Sequence, residues 1–399
     1  MKPEFFRKVL DNGITVLFEK RDVPVVSVAI AVRCGGMNED EHEKGISHFI
    51  EHMLYKGTKK RSAKKIAEDI EKRGGDMNGF TANSMTAYWC KMPAKHLKVA
   101  LDVLADMIKN SLFNEKEMEK ERKVIFEEIK MRKDNPPRYV MDRIHESLYE
   151  KPFGIDLIGT YRSMSSITRE KILKRFEEVY ATENLILAVV GNAELSDIVD
   201  FAEKNFKKGK SKIKFPKIKL RNEIKTEKRK GIDQANLIFA NHVPLSEDKK
   251  SYAALVLNTL LAGGSSSRLF QEIREKRNLA YAIRGDSEIT KEYAYNTIYV
   301  GTTKEKVEEV KKIILKEFEE VSKKLTEREL QQIKEQIIGN YHISMEDSQT
   351  QMVNLMVYEI DGDARKFYKF EEDINSVKLT DVKKLAKIKD YSFFVLVPE

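Results

Sequence analysis

The chain is poor in cysteine: two, Cys34 and Cys90, among 399 residues. That excludes a disulfide framework and fits a reduced, cytoplasmic compartment. It also has no run of 18 apolar residues, so a transmembrane helix is not expected. The apolar stretch 25–32, interrupted only by Ser27, is too short to span a bilayer and reads as a strand. The opening Met1-Lys2-Pro3-Glu4-Phe5-Phe6-Arg7-Lys8 lacks the apolar core of a secretion signal, so none is expected. The segment 263–267 (GGSSS) has no Gly-Lys-Ser/Thr behind it and is no phosphate loop; a cap for the next helix is the expectation.

What the chain does have is core material. Hydrophobic residues make up 41% and charged residues 34%, which is too apolar for a disordered chain. At roughly 100–200 residues per domain, the length implies two domains or one doubled unit. The net charge of +8 is concentrated: residues 207–230 hold 12 basic and 2 acidic residues. That stretch, with Pro216 inside it, reads as an exposed linker. With Phe215 as its one aromatic it lacks a nucleic-acid recognition element, and no nucleic-acid or membrane partner is expected.

Strand material at 13–18, 25–32, 87–92 and 185–190 alternates with helical patterns near 46–56, 62–73, 95–110, 115–133, 169–179 and 195–206. After the basic stretch the order resumes. Strands are expected at 235–240, 279–284, 294–301 and 392–397, with helices near 248–261, 266–277, 304–322 and a broken one at 326–360. Both halves begin with strand, carry paired helices and end in helix plus strand, a duplication of element order. The expected fold class is α+β, two similar domains each a mostly antiparallel sheet packed with helices. The division is 1–206, a linker at 207–230, and 231–399.

The segment Gly45-Ile46-Ser47-His48-Phe49-Ile50-Glu51-His52-Met53-Leu54-Tyr55 carries chemistry. At about 100° per residue, Ile46, Phe49, Ile50, Met53 and Leu54 form one apolar stripe. His48, Glu51 and His52 share the opposite face, at about 200°, 140° and 240° from Ile46. Two imidazoles one turn apart can bind one cation, and a carboxylate stands beside them. This is the inverted H-x-x-E-H arrangement of zinc peptidases. The competing reading is a solvated face with incidental histidines.

A catalytic zinc needs a third protein ligand and a position left for water. Helical phase over residues 114–133 selects candidates, with Asn114 as N-cap and Pro136-Pro137 closing the far end. Met118, Val124, Ile125 and Ile129 define the apolar stripe. Glu121 and Glu128 fall within it, and Glu127 falls on the polar side. A carboxylate aimed inward is costly without a partner. Zinc ligation by Glu128 supplies one, with Glu121 steadying a histidine from behind. The alternative for these carboxylates is a buried ion pair, with Arg122 of a neighbouring subunit or with Lys91.

These residues resemble the pitrilysin/insulinase family of inverted zinc metallopeptidases, in particular short single-half members similar to mitochondrial processing peptidase subunits. The segment 121–128 places Glu128 at the family spacing for the third ligand. Gly75-Asp76-Met77-Asn78-Gly79-Phe80-Thr81 resembles the edge-strand segment that contacts substrate backbone, through Asn78, with Asn-Gly where Asn-Ala is usual. Residues 267–281 resemble the segment whose arginine and tyrosine, here Arg274 and Tyr281, grip substrate. On their own these two would read as a surface ion pair with Glu275 and as core packing. Asn278 suits the left-handed turn ending that helix.

The resemblance implies a peptidase with one Zn2+ per chain, Glu51 as the catalytic base, and peptides or unfolded protein as substrate. It also implies a clamshell of two such chains, with this chain as one half. Both residue sets are present, which favours a homodimer; a heterodimer with a related subunit, or a non-catalytic subunit, is the alternative. Cys90 is expected to be a packed side chain, and Cys34 stands where it could touch the metal chamber.

Overall fold

The computed structural model describes residues 4–213, 215 and 217–399. Met1, Lys2, Pro3, Lys214 and Pro216, and the readings placed on them, lie outside the described residues. The chain forms two compact units. The first comprises Met1–Ile129, Ile155–Lys217 and Ser344–Phe367; the second comprises Lys130–Gly154, Ile218–Ile343 and Tyr368–Glu399. No helix among the described residues is long and apolar enough to cross a membrane.

The first unit holds β1 (Glu4–Val9), β2 (Thr15–Lys20), β3 (Val25–Val32), β4 (Asp76–Thr81), β5 (Thr86–Pro93) and β6 (Leu185–Gly191). They form one sheet in the order β1-β2-β6-β3-β5-β4. The second unit holds β7 (Ile224–Arg229), β8 (Ala235–His242), β9 (Ala280–Ile289), β10 (Ala294–Thr302) and β11 (Ser392–Pro398), ordered β7-β11-β8-β10-β9. The duplication is therefore topological. In each sheet an early strand runs parallel to the last, β2 with β6 and β7 with β11. The remaining pairs are antiparallel and close on a hairpin. Both units are α+β, as the element order predicts.

Alternation explains how the first sheet is covered on both faces. Val26, Val28, Ile30 and Val32 of β3 enter the main core with Phe49, Ile50 and Met53. Ser27, Ala29 and Ala31 point to the other face and are fully buried as well. The helix Ser348–Ile360 packs on β3 and β6. Small residues let it approach closely, and Ser27 and Ser348 share a hydroxyl bond of 2.9 Å. A strand buried on both faces reads as a continuous apolar run, which is how 25–32 reads.

Three readings of the sequence are corrected. Residues 224–229, expected as linker, form β7, an edge strand whose side chains are mostly exposed. A solvated edge strand needs no apolar alternation, so its charges concealed it. Pro136-Pro137 do not only end a helix. Asn135 caps, and the two prolines open the helix Pro136–Leu148, which packs on β8 and β11. Residues expected as a helix near 266–277 hold a π-helical turn over Phe270–Glu275, where Lys276 N bonds Gln271 O at 3.0 Å. No serine of 263–267 caps it by its side chain; Ser267 offers its carbonyl to Gln271 N instead.

Candidate metal centre

The helix α1 (Ile46–Leu54) starts where Gly45 adopts φ 92°, a left-handed backbone that favours glycine. A Cβ there would also meet Ile158 O at 2.5 Å. N–H groups at the start of the helix, which lack partners within it, are met by Glu39, which accepts from Gly45 N at 2.9 Å and Ser47 N at 2.7 Å. Glu39 is 2% exposed, so these are buried, charge-assisted caps at the positive end of the helix. Nearby, the fully buried Lys44 donates to Gly36 O at 2.6 Å, and burial pushes its ammonium below the usual lysine range. The stripe Ile46, Phe49, Ile50, Met53 and Leu54 is buried throughout. The opposite face of α1 is thereby fixed in rotation.

That face meets the helix Glu115–Asp134. His48 Nε2 lies 3.5 Å from Glu128 Oε2, and His52 Nε2 lies 3.6 Å from Glu128 Oε1. Each of the three residues offers a ligand atom within 4.8 Å of the others. Ligands on a tetrahedral zinc, at about 2.0–2.2 Å from the ion, stand roughly 3.4 Å from one another. The donor set, two nitrogens and one carboxylate with a fourth position to spare, suits that ion. Among the described residues no other group of three His, Cys, Asp or Glu side chains could hold a metal.

Behind the ligands, Glu121 is 7% exposed. It touches His52 Nδ1 at 3.1 Å through Oε2 and Lys56 Nζ at 2.7 Å through Oε1. Both contacts open to this carboxylate are made, one to a histidine ring and one to a cation, and the cation is the half-buried Lys56. Lys91 pairs with Asp347, and Arg122 bonds Ile167 O at 2.8 Å. Val124 is corrected: it is 44% exposed, while Met118 and Ile125 are buried. At about 240° it stands outside the stripe centred on Met118. Glu127 is exposed, on the side its phase predicts.

Glu51 stands at the other edge of the histidines. Its Oε2 accepts from Thr81 Oγ1 of β4 at 2.8 Å. Burial pushes its carboxyl above the ordinary value, while the Thr81 bond and His52 pull the other way. Sequence reasoning overlooked Glu39, Lys56 and Thr81 as supports of this site. Only Glu39 had a readable signal, an acidic residue shortly before a helix N-terminus. Asn78 lies exposed on β4, the edge strand of the sheet, and its Oδ1 accepts from Gly79 N at 2.8 Å.

Arg274 and Tyr281 come together within the second unit. Arg274 Nη1 donates to Tyr281 O at 3.1 Å, and its guanidinium lies 5.0 Å from the Phe270 ring centre. The Glu275 contact is a long 4.0 Å. Tyr281 is not core: it is 43% exposed. The pairing of β9 and β10 shifts between Gly301 and Thr302, leaving Tyr281 unpaired in a bulge. A Cβ on Gly301 would stand 2.3 Å from the Tyr281 ring, so glycine makes the ring's position possible. Asn278 has φ 52°, the left-handed turn expected of it. Cys34 and Cys90 are both buried and free. Burial pushes their thiols up to about 11 and about 12, and Cys34 contacts Arg175 Nη2 at 3.4 Å.

Residues 15–161 match the family model described as Insulinase (Peptidase family M16), and residues 166–337 match that of the Peptidase M16 inactive domain. The chain belongs to the M16 peptidase family. A Bacillus subtilis protein named an uncharacterized zinc protease is 31% identical over 402 residues, covering 98% of each chain. A Rickettsia felis protein of the same description is 34% identical over 352 residues, covering 87% of this chain and 85% of its own. The crystal structure of a protease from Helicobacter pylori superposes with a TM-score of 0.92 at 24% identity, covering 99% of this chain and 100% of its own. That likeness concerns the fold, which the M16 chain shares along its length.

Proposed function

We propose that this M16 chain is a zinc-dependent endopeptidase acting on peptides or unfolded polypeptide segments, with one Zn2+ per chain. The observation that carries the reading is the convergence of His48, His52 and Glu128 from two helices, with Glu51 one position before His52. Zinc, when bound, acts as a Lewis acid and lowers the pKa of a coordinated water to ~7.

The chain's own groups do the rest. His48, His52 and Glu128 hold the cation. Glu121 holds the His52 ring through Nδ1, so that Nε2 is the nitrogen presented. Glu51 takes a proton from the attacking water and delivers it to the leaving amine. Thr81 occupies one of its oxygens, which keeps the other directed. Asn78 on the open edge of β4 is suited to hold an extended substrate by strand addition. Arg274 and Tyr281 supply a guanidinium and a phenol, groups that hold a peptide carbonyl and stabilise oxyanion charge.

The proposal extends to assembly and location. Two chains pairing around the substrate, as a homodimer, is supported by one chain carrying both residue sets. A cytoplasmic location is supported by two buried free thiols. The test is Glu51→Gln in zinc-loaded protein, with cleavage sites mapped on an unstructured peptide. Zinc content should equal wild type while kcat falls at least ~100-fold. Turnover within tenfold of wild type in that variant would remove Glu51 as the base.

A further inference from the structure

The second unit provides an internal comparison for the first. Its strands β8, β9 and β10 stand in the sheet where β3, β4 and β5 stand in the other. Thr81 of β4 donates to Glu51 of α1 at 2.8 Å, and Asn258 of the helix Lys250–Ala262 donates to Ser287 of β9 at 3.1 Å. Two residues before each strand partner, Gly79 and Gly285 lie against the same two side chains: a Cβ there would meet Glu51 and Asn258 at 3.1 Å and 3.3 Å. With Glu51 set on Asn258, His48, His52 and Lys56 fall at Leu255, Thr259 and Gly263. The helices Glu115–Asp134 and Glu327–Ser344 align as well. Asn114 and Thr326 each accept from the N–H three residues on, at 3.4 Å and 3.3 Å. Met118 and Ile125 then fall at Leu330 and Ile337, all four buried, and Glu121 and Glu128 fall at Ile333 and Asn340.

Where the three metal ligands are replaced, Lys56 and Glu121 are replaced with them, by a glycine and an isoleucine that carry no polar side chain. A pair kept for the packing of the fold has no reason to vanish together with the ligands. The contacts show what the pair does instead. Glu121 Oε2 meets His52 Nδ1 at 3.1 Å, and Oε1 meets Lys56 Nζ at 2.7 Å. Its side chain is 9% exposed, so each oxygen depends on its one protein partner. The last torsion of a glutamate is soft, so a carboxylate held at one oxygen swings, and one held at both is fixed. Lys56 stands one helical turn beyond His52, which lets a single carboxylate reach both.

We propose that Lys56 is a positioning residue of the metal centre: its ammonium fixes Glu121, and through Glu121 the ring of His52, so that Nε2 is presented to the cation. The proposal deepens the zinc reading and rests on His48, His52 and Glu128 being the ligands. The sign of the effect on zinc affinity separates this role from that of a plain charge. An ammonium acting only at a distance repels Zn2+, and its loss would tighten binding. An ammonium acting as a clamp keeps a ligand in place, and its loss weakens binding.

The test is a competitive chelator titration of zinc on wild type, Lys56→Met, Lys56→Arg, Glu121→Gln and the Lys56→Met/Glu121→Gln double variant, with peptide cleavage measured beside it. Lys56→Met should bind zinc about tenfold more weakly, the low end of what groups behind a ligand contribute. Lys56→Arg still pairs with a carboxylate and should stay within about threefold of wild type. The double variant should bind no more weakly than Glu121→Gln, because the link is already cut. Should Lys56→Met not fold, Lys56→Gln, which keeps an N–H donor without the charge, takes its place with a loss of about threefold or more. Unchanged or tighter zinc binding once the ammonium is gone, or losses that multiply in the double variant, would each overturn the proposal. A wild type that binds zinc and cleaves no peptide would end the peptidase reading, while the order of zinc affinities would still decide the role of Lys56.

Discussion

Replacing Glu39 with glutamine should loosen the helix that carries both histidines. The carboxylate is 2% exposed and bonds Gly45 N at 2.9 Å and Ser47 N at 2.7 Å. An amide keeps one oxygen for one of these donors and turns an NH2 toward the other. One hydrogen bond to a charged group is lost, about 1.5–3 kcal/mol, and one buried N–H is left facing another donor. The loss of a negative charge at a helix N-terminus adds about 0.3–1 kcal/mol. A total of about 3 kcal/mol follows, and for a unit of about 200 residues each kcal/mol moves Tm by ~2–4 °C. Glu39→Gln should therefore melt about 6–12 °C below wild type by calorimetry at fixed zinc, since free zinc shifts Tm by mass action. The exposed Glu71 provides the control, Glu71→Gln, which should move Tm by less than ~2 °C. A Glu39→Gln protein that melts within ~2 °C of wild type would refute the capping account.

Two further outcomes separate ligation from neighbourhood. Glu128→Gln should weaken zinc binding by more than the ~10–100-fold typical of groups behind the ligands, whereas Glu127→Gln should leave it unchanged in a competitive chelator titration. Equal effects would contradict the phase and the distances together. Arg274→Ala should lower kcat/KM about tenfold while zinc content and Tm stay at wild-type values, because a half-exposed guanidinium contributes little to folding. Unaltered kinetics would return Arg274 to the surface.

Short-range periodicity makes part of this site legible in the residue order alone. The stripe Ile46, Phe49, Ile50, Met53 and Leu54 is buried as its spacing predicts, which places His48, Glu51 and His52 on the other face. Helical phase separates Glu128 from Glu127 for the same reason. Val124, about 120° from the stripe's centre, is apolar in type but not in phase, and it is exposed as the phase alone requires. Charged edge strands such as β7 are not legible, since a solvated strand carries no alternation to read. The orienting role of Glu121 is one of two readings its phase allows, and nothing in that phase points to its partner Lys56.

By itself the chain's sequence determined the α+β class, the doubled element order and the face of α1 that bears the donors, all set by periods of two and 3.6 residues. Tertiary structure alone decided which distant segment serves which. It brought the helix Ser348–Ile360 onto β3 and β6, Glu39 onto the first turn of α1, and Gly79 against Tyr55 and Glu51. Those choices depend on space between elements far apart in the chain. Local propensity carries no record of such space; packing and the pairing of buried polar atoms set it.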